Sequence, residues 1–320
     1  MEPIPFGMRF LGALFSLTPG MGVSNMTLEQ IEKNQATQIP QNAVTDFLLG
    51  EIQKGVMVQE RSIAGPGGAL LLRIYTPEKV AAGPRPLIVF YHGGGWVLGN
   101  PRMGDWICST VARDVDAVAV SADYRLAPKH KFPAGVEDCY AALVWCSENA
   151  AALGADPGKI GVMGDSAGGT LSAVMCLLAK ERGGPHIRHQ ALIYPATDVT
   201  LSSKSHQLNN NEIILSESDI KTFLGHYLEA GADLKDWRIS PLFASDHSGL
   251  PAAIIIVAGH DPLHDEGVWY ADKLRAAGVP VILKDYPAMP HGFTSFPHLA
   301  RDARPALIEI TQSQRMTFNK

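Results

Sequence analysis

Gly164-Asp165-Ser166-Ala167-Gly168-Gly169 separates an apolar run at 159–163 from a helix-like run at 170–180. A G-x-S-x-G pattern between a strand and a helix is typical of a nucleophile elbow, a sharp turn that presents a serine hydroxyl above the end of a sheet. Glycines at 164 and 168 leave room for that tight turn and for close approach of the helix to the strand. The pattern therefore predicts an α/β fold in which Ser166 is the nucleophile of a hydrolase.

Short β-rich runs alternate with helical periodicity along most of the chain. Seven runs are typical of strands, at 69–75, 86–91, 116–122, 160–163, 190–194, 252–257 and 280–286. Apolar residues at helical spacing predict helices at 136–153, 171–178 and 266–277, and Gly278 is placed to end the last of them. Continuous apolar strands separated by helices indicate a mainly parallel, doubly wound sheet that is buried on both faces.

Two segments do not fit this alternation, residues 1–50 and about 202–240, and the second includes a helix candidate at 218–230. The length of 320 residues suits one large α/β domain with an insertion. We expect residues 1–50 to form an N-terminal cap segment and residues 51–320 to form a catalytic domain whose insertion at about 202–240 contributes to the cap. Four apolar side chains near the N-terminus belong either to the core or to the substrate entrance: Phe6, Phe10, Leu14 and Phe15.

The composition excludes several classes of function. The chain is 46% hydrophobic and 18% charged, with a net charge of −5. Since no basic run could follow a phosphate backbone, a nucleic-acid partner is not expected. No apolar run approaches the roughly 20 residues that span a bilayer. The apolar stretch at 10–17 follows a single cation, Arg9, and is expected to be an amphipathic structural segment rather than a signal peptide.

The cysteine pattern indicates reduced thiols. None of the four cysteines belongs to a C-x-x-C pair, and all lie in apolar or helix-like runs: Cys108, Cys139, Cys146 and Cys176. Two of them, Cys139 and Cys146, are expected on one helix about 10 Å apart along its axis, which is too far for a disulfide. Reduced, buried thiols are compatible with the cytoplasm, which is the predicted location.

A serine nucleophile needs a histidine base and a carboxylate that orients the histidine. In hydrolases of this sheet type the chain order is serine, acid, histidine. The best acid after Ser166 is Asp261, which follows the strand at 252–257, and the best histidine is His291, which follows the last strand. Asp265 and Glu266 are rival acids. Both could instead serve as charges at the start of the next helix.

The oxyanion of such a reaction needs backbone N–H donors that are already in place. His92-Gly93-Gly94-Gly95-Trp96 follows a strand and supplies them. We assign the oxyanion hole to the N–H groups of Gly93, Gly94 and Ala167. His92 is expected to buttress this loop, and Asp165, beside the nucleophile, is expected to have a structural role.

Five ordered motifs resemble the bacterial hormone-sensitive-lipase family of α/β-hydrolase esterases. They are His92-Gly93-Gly94-Gly95-Trp96, Asp123-Tyr124-Arg125-Leu126-Ala127-Pro128, Gly164-Asp165-Ser166-Ala167-Gly168-Gly169, Asp261-Pro262-Leu263 and His291-Gly292-Phe293. The resemblance implies an eight-stranded core, an N-terminal cap, a triad of Ser166, Asp261 and His291, and hydrolysis of short or medium acyl esters. Two residues depart from the family pattern and could change salt bridging near the site: Lys129 replaces a common glutamate, and His264 a common arginine.

Other interpretations remain open at this point. An amidase or peptidase could use the same triad, and a non-catalytic receptor could use the same fold, although all three triad positions are filled. His260 and His264 with Asp261 and Asp265 mimic a metal cluster, but Pro262 argues against a regular helix through them. The triple glycine lacks the Gly-Lys-Ser/Thr ending of a phosphate-binding loop. We therefore expect neither a metal nor a cofactor, and a small-molecule ester as the substrate. An edge strand at 280–286 could pair with a second copy of the chain, so a homodimer is also expected.

Overall fold

The computed structural model describes residues 2–17, 22–37, 39–210 and 212–319. Its centre is one eight-stranded sheet with the strand order β1-β2-β4-β3-β5-β6-β7-β8. The strands are β1 (Val56–Gly65), β2 (Gly68–Pro77), β3 (Arg85–Tyr91), β4 (Val118–Ala122), β5 (Ala155–Asp165), β6 (Ile187–Ile193), β7 (Ala252–His260) and β8 (Val281–Pro290). Strands β3 to β8 pair in parallel, whereas β2 pairs antiparallel with both β1 and β4. The predicted mainly parallel α/β fold is confirmed.

Helices cover both faces of the sheet. They are α1 (Phe6–Leu17), α2 (Leu28–Ala36), α3 (Ala43–Leu49), α4 (Asp105–Val115), α5 (Ala134–Glu148), α6 (Ala167–Arg182), α7 (Lys204–Leu208), α8 (Glu217–Tyr227), α9 (His264–Ala276) and α10 (Ala303–Phe318). Along β3, Leu87 and Val89 face a core that includes α5, α6 and α9, while Ile88 and Phe90 face a second core that includes α4 and α10. This alternation of buried side chains explains why the strands read as continuous apolar runs.

The structure corrects several predicted boundaries. The strand expected at 116–122 begins at Val118, because Asp116 adopts a left-handed conformation at the end of α4. The helix expected at 136–153 ends at Glu148 and is followed by a separate 3-10 turn at Ala151–Leu153. Strand β1 escaped prediction because it is the edge strand and most of its side chains are exposed or half-buried, so it lacks a continuous apolar run.

The first 50 residues contribute α1 to α3. Of the two alternatives left open for the apolar residues near the N-terminus, a place in the core does not hold for Phe6 and Phe10, which are 82% and 57% exposed, nor for Leu14, which is also exposed. The buried side chains of α1 are Met8 and Leu11 instead. The side chain of Phe15 lies outside the described residues. Within the described part of the chain, no helix combines the length and the apolar character that a membrane crossing requires.

His264, a departure from the family pattern, joins helix α9 to the edge strand β8. It is the first residue of α9, and its ring contacts the carboxylates of Asp265 at 3.1 Å and Asp285 at 3.3 Å. The hydrogen bond to Asp285, with further support from Asp265, raises the pKa of His264 from 6.5 to about 9. The imidazolium is therefore the form that folding favours at neutral pH.

Replacing His264 by Gln should lower stability in a pH-dependent way. Since the folded pKa lies above the unfolded one, the stabilisation is fully present below pH 6.5 and is lost as pH rises through about 9. Because the ring is partly open to solvent, screening weakens the ion pair, and we expect the free energy of unfolding to fall by about 1 to 2 kcal/mol at pH 6. Urea unfolding of the wild type and His264→Gln at pH 6 and pH 9.5 measures this difference.

The matched control is His186→Gln, because His186 is an exposed histidine on the segment before β6. Its free energy of unfolding should follow the wild type at both pH values. A His264→Gln deficit that is equally large at pH 6 and pH 9.5 would contradict the ion-pair account.

Candidate active site

The turn from β5 into α6 holds Ser166 in an unusual backbone conformation. Ser166 has φ +53° and ψ −123°, a region that residues with a side chain rarely occupy. Its N–H donates a 2.8 Å hydrogen bond to the carbonyl of Ile193 at the end of β6. Close packing requires glycine at both 164 and 168. A Cβ on Gly164 would collide with the carbonyl groups of Gly168 and Tyr91, and a Cβ on Gly168 with those of Tyr91 and His92. The predicted strand–turn–helix geometry is present, with the serine at its apex.

The structure brings together the three residues predicted as a triad. The Nδ1 atom of His291 lies 2.7 Å from Oδ2 of Asp261, and its Nε2 atom lies 2.9 Å from Oγ of Ser166. The second oxygen of Asp261 accepts a 2.8 Å hydrogen bond from the N–H of Leu263. Asp261 is fully buried, and His291 is nearly so. With Nδ1–H donating to the carboxylate, Nε2 is left to accept the serine proton.

The rival acids have other neighbours. A carboxylate oxygen of Asp265 accepts a hydrogen bond from the N–H of Ser205, and the other contacts His264. Glu266 points towards His206, with 3.6 Å between its Oε2 and the ring Nε2. Neither carboxylate contacts His291, so Asp261 is the acid that the geometry selects.

The glycine loop after β3 differs from the predicted oxyanion hole in one residue. The N–H of Gly93 donates to Oδ1 of Asp165 at 2.9 Å, so this donor is occupied and its assignment to the hole is wrong. Among the described residues, no acceptor is paired with the N–H groups of Gly94 and Gly95, nor with that of Ala167 at the first position of α6. Gly94 has φ +109°, which turns the loop so that it passes over the elbow. Three free donors therefore lie beside Ser166, and Gly95 replaces Gly93 among them.

Asp165 and His92 hold this loop. Burial raises the pKa of Asp165 to about 6, and its carboxylate accepts the N–H of Gly93. Burial lowers the pKa of His92 to about 4, so the ring is neutral and its Nδ1 atom lies 2.8 Å from the carbonyl oxygen of Gly93. The ring also stacks on Tyr124, with 4.4 Å between centroids. Both side chains therefore have the structural roles expected from the sequence.

Glu266 and His206 are two buried titratable groups behind the acid. Burial, with Asp198 and Asp261 nearby, raises the pKa of Glu266 well above its ordinary value. Burial also lowers the pKa of His206, although the surrounding carboxylates oppose this. Both shifts favour the uncharged forms of this pair, a protonated carboxyl group and a neutral imidazole.

Two residues that the sequence did not single out hold the loop that carries the acid. Both hydrogens of the Asn209 amide are used: Nδ2 donates to the carbonyls of Gly259 at 3.1 Å and Asp261 at 3.0 Å. The hydroxyl of Ser205 donates to the carbonyl of Pro262 at 2.6 Å. Both residues belong to the 202–240 insertion, in a polar stretch with no motif that would have revealed them. The insertion therefore contacts the catalytic loop directly.

A largely apolar cavity of about 200 Å³ leads to Ser166. The 202–240 insertion contributes Ile214, Leu215, Ile220, Phe223 and Leu224 to its walls, and the first 50 residues contribute Leu49. Of the four residues that resembled a metal cluster, His264 and Asp265 contact each other, His260 contacts Glu212 and Asp261 contacts His291. Within the described residues, no group of three His, Cys, Asp or Glu side chains is placed to hold a metal ion.

Comparisons with known proteins agree with this architecture. The model of the α/β-hydrolase fold family matches residues 88–295. The carboxylic ester hydrolase LipN of Mycobacterium tuberculosis is 44% identical over 89% of this chain and 77% of its own length. The arylesterase of Saccharolobus solfataricus is 36% identical over 72% of this chain and 75% of its own length. A solved esterase from Pyrobaculum calidifontis superposes with a TM-score of 0.86 at 35% identity, covering 98% of this chain and 99% of that one.

The match to the family model covers more than half of the chain, and two relatives exceed 30% identity over more than two thirds of it. All five motifs that indicated the hormone-sensitive-lipase type of esterase lie within the matched region. This chain therefore belongs to the α/β-hydrolase family, in its hormone-sensitive-lipase-like branch of esterases.

Proposed function

We propose that this carboxylic ester hydrolase works through an acyl-enzyme on Ser166. The observation that carries the proposal is the continuous contact from Ser166 through His291 to Asp261, with distances of 2.9 and 2.7 Å. Both lie within the reach of about 2.6–3.2 Å that joins an activated nucleophile to its base. The site opens into a mostly apolar cavity, as an ester with hydrocarbon chains requires.

In the first half of the reaction Ser166 is acylated. Its Oγ attacks the carbonyl carbon while Nε2 of His291 takes the hydroxyl proton, and Asp261 stabilises the imidazolium that forms. The carbonyl oxygen becomes an oxyanion that accepts hydrogen bonds from the N–H groups of Gly94, Gly95 and Ala167. The C–O bond to the alcohol then breaks, and His291 returns the proton to the departing oxygen.

In the second half a water molecule replaces the alcohol. His291 takes one proton from the water as its oxygen attacks the acyl carbon, and the same N–H donors stabilise the second oxyanion. The bond to Oγ breaks, the proton passes to Ser166, and the free acid leaves. The positive N-terminal end of α6 also faces the developing charge.

The cavity favours short to medium acyl esters. A volume of about 200 Å³ is small beside the range of about 300–1,000 Å³ that is usual for drug-sized ligands. The three relatives named above are a carboxylic ester hydrolase, an arylesterase and an esterase, which favours an ester over an amide as substrate. Residues 1–50 and the insertion at about 202–240 would act as a cap, since both supply walls of this cavity.

The cellular setting is part of the same proposal. All four cysteines are buried and unpaired, which fits the reducing environment of the cytoplasm. A homodimer would use β8, which lies at one edge of the sheet with free backbone groups along it. A small-molecule ester is the expected partner of the site, and the net charge of −5 favours no nucleic acid.

Replacing Ser166 by Ala should abolish ester hydrolysis, because the proposed acyl-enzyme forms on the hydroxyl that this change removes. Loss of a triad nucleophile reduces kcat by about a million-fold in a comparable enzyme. The measurement is the initial rate of p-nitrophenyl butyrate hydrolysis, with thermal unfolding as a check of the fold. Ser121→Ala is the matched control, because that hydroxyl is buried without a partner in the described structure and should leave the rate unchanged. Full turnover by Ser166→Ala would refute the mechanism.

Replacing Asn209 by Ala should reduce kcat by about 10- to 100-fold while KM changes little. The loss frees the carbonyls of Gly259 and Asp261, and a small displacement of a catalytic group can cost about a hundred-fold in rate. KM is spared because Asn209 does not line the described cavity. Asn210→Ala is the matched control on the exposed neighbour. Equal kcat values for Asn209→Ala and the wild type would show that the amide does not position the acid.

A further inference from the structure

One wall of the active-site cavity is a single layer of side chains. Three residues line both that cavity and a groove of about 620 Å³ on its other side, namely Val199, Leu201 and Leu224. The groove continues along Leu228 and Leu234, and its rim carries the ion pair of Lys131 with Glu229. A hydrocarbon chain that runs from Ser166 towards this wall would meet these side chains, with an open and partly apolar space behind them.

Leu201 is the exceptional residue in the wall. Its backbone φ of +58° lies in the left-handed region, which glycine adopts readily and in which leucine is strained. Strained residues persist where the surroundings determine them fully, and they cluster at functional sites. The strain indicates that the side chain of Leu201 has a role that outweighs the cost of its backbone conformation.

The backbone around Leu201 is held from both sides by one carboxylate. Oδ1 of Asp198 accepts hydrogen bonds from the N–H of Thr200 at 2.8 Å and from its hydroxyl at 2.6 Å. Oδ2 accepts the hydroxyl of Ser202 at 2.8 Å. In addition, the N–H of Val199 donates to Oγ of Ser240 at 3.0 Å. The wall is thus a fixed partition and not a loose loop.

We propose that Leu201 sets the chain length of the esters that this enzyme accepts, because its side chain closes the cavity against the groove. The substrate class is esters of linear acyl or alkyl chains that end at this side chain. This inference rests on the proposed function of Ser166, since the chain in question belongs to the ester that the serine attacks. Removing the side chain would join the two spaces and let longer chains pass into the groove.

The variant Leu201→Gly tests the proposal. Glycine suits the positive φ, so the variant removes the side chain and relieves the strain together. Leu201→Met keeps a side chain of similar volume, and Leu234→Ala alters only the far side of the groove. The substrates are p-nitrophenyl esters from acetate to laurate, followed by alkyl acetates from ethyl to dodecyl in a pH-stat.

For the wild type, Leu201→Met and Leu234→Ala we expect kcat/KM to fall steeply beyond medium chain lengths. For Leu201→Gly we expect the ratio of the longest to the shortest substrate to rise at least ten-fold in one of the two series, as a few methylenes in an apolar pocket allow. An unchanged ratio in both series, with acetate hydrolysis intact, would overturn the role of Leu201 and leave the esterase mechanism standing. Absence of hydrolysis by the wild type on every ester would instead overturn the proposed function.

Should Leu201→Gly lose acetate hydrolysis through misfolding, Leu224→Ala opens the same wall from helix α8. It should then produce the same shift towards longer chains. A folded Leu224→Ala enzyme with the wild-type chain-length profile in both series would count against the partition.

Discussion

The left-handed backbone at Ser166 is the constraint on which the site depends. A residue other than glycine costs free energy when its φ is +53°, so the surrounding structure must hold this conformation in place. A hydrogen bond to Ile193 ties it to β6, and the contact between Gly168 and the carbonyl of Tyr91 presses α6 against β3. Three adjacent strands therefore determine where the hydroxyl lies. The nucleophile cannot shift as a local loop would, and the base and the donors are placed around a fixed point.

The acid is positioned by a different part of the chain. Asp261 stands at the end of β7, but the carbonyl groups of its loop are held by Ser205 and Asn209 from the insertion. In addition, Nδ1 of His260 lies 3.1 Å from Oε1 of Glu212. The insertion that lines the cavity thus also holds the loop of the carboxylate that contacts His291. In the proposed mechanism, this one segment would both cover the substrate and position the acid of the triad.

Much of this architecture could be predicted because it depends on local signals. Apolar runs marked seven of the eight strands, and the glycines around Ser166 marked the elbow, since both follow from burial and backbone sterics. Long-range hydrogen bonds had no such signal. Asp165 lies 72 residues from Gly93, and only the folded sheet reveals that its carboxylate occupies the donor assigned to the oxyanion hole. The contact of Asn209 with Asp261 escaped for the same reason, because a polar stretch without periodicity does not indicate its partner.

Leu201 in the cavity wall and Asn209, which holds the loop of Asp261, are close in sequence but are held by different parts of the chain. Leu201 is held through Thr200 and Ser202 by Asp198, which follows β6, whereas Asn209 bonds to the loop after β7. A change at Leu201 therefore alters the shape of the cavity while the hydrogen bonds to Asp261 remain. Separate anchoring means that chain length can change without loss of the triad. In the proposed arrangement, the size of the ester that this chain accepts depends on the few side chains that close the cavity, while the contacts of the triad stay the same.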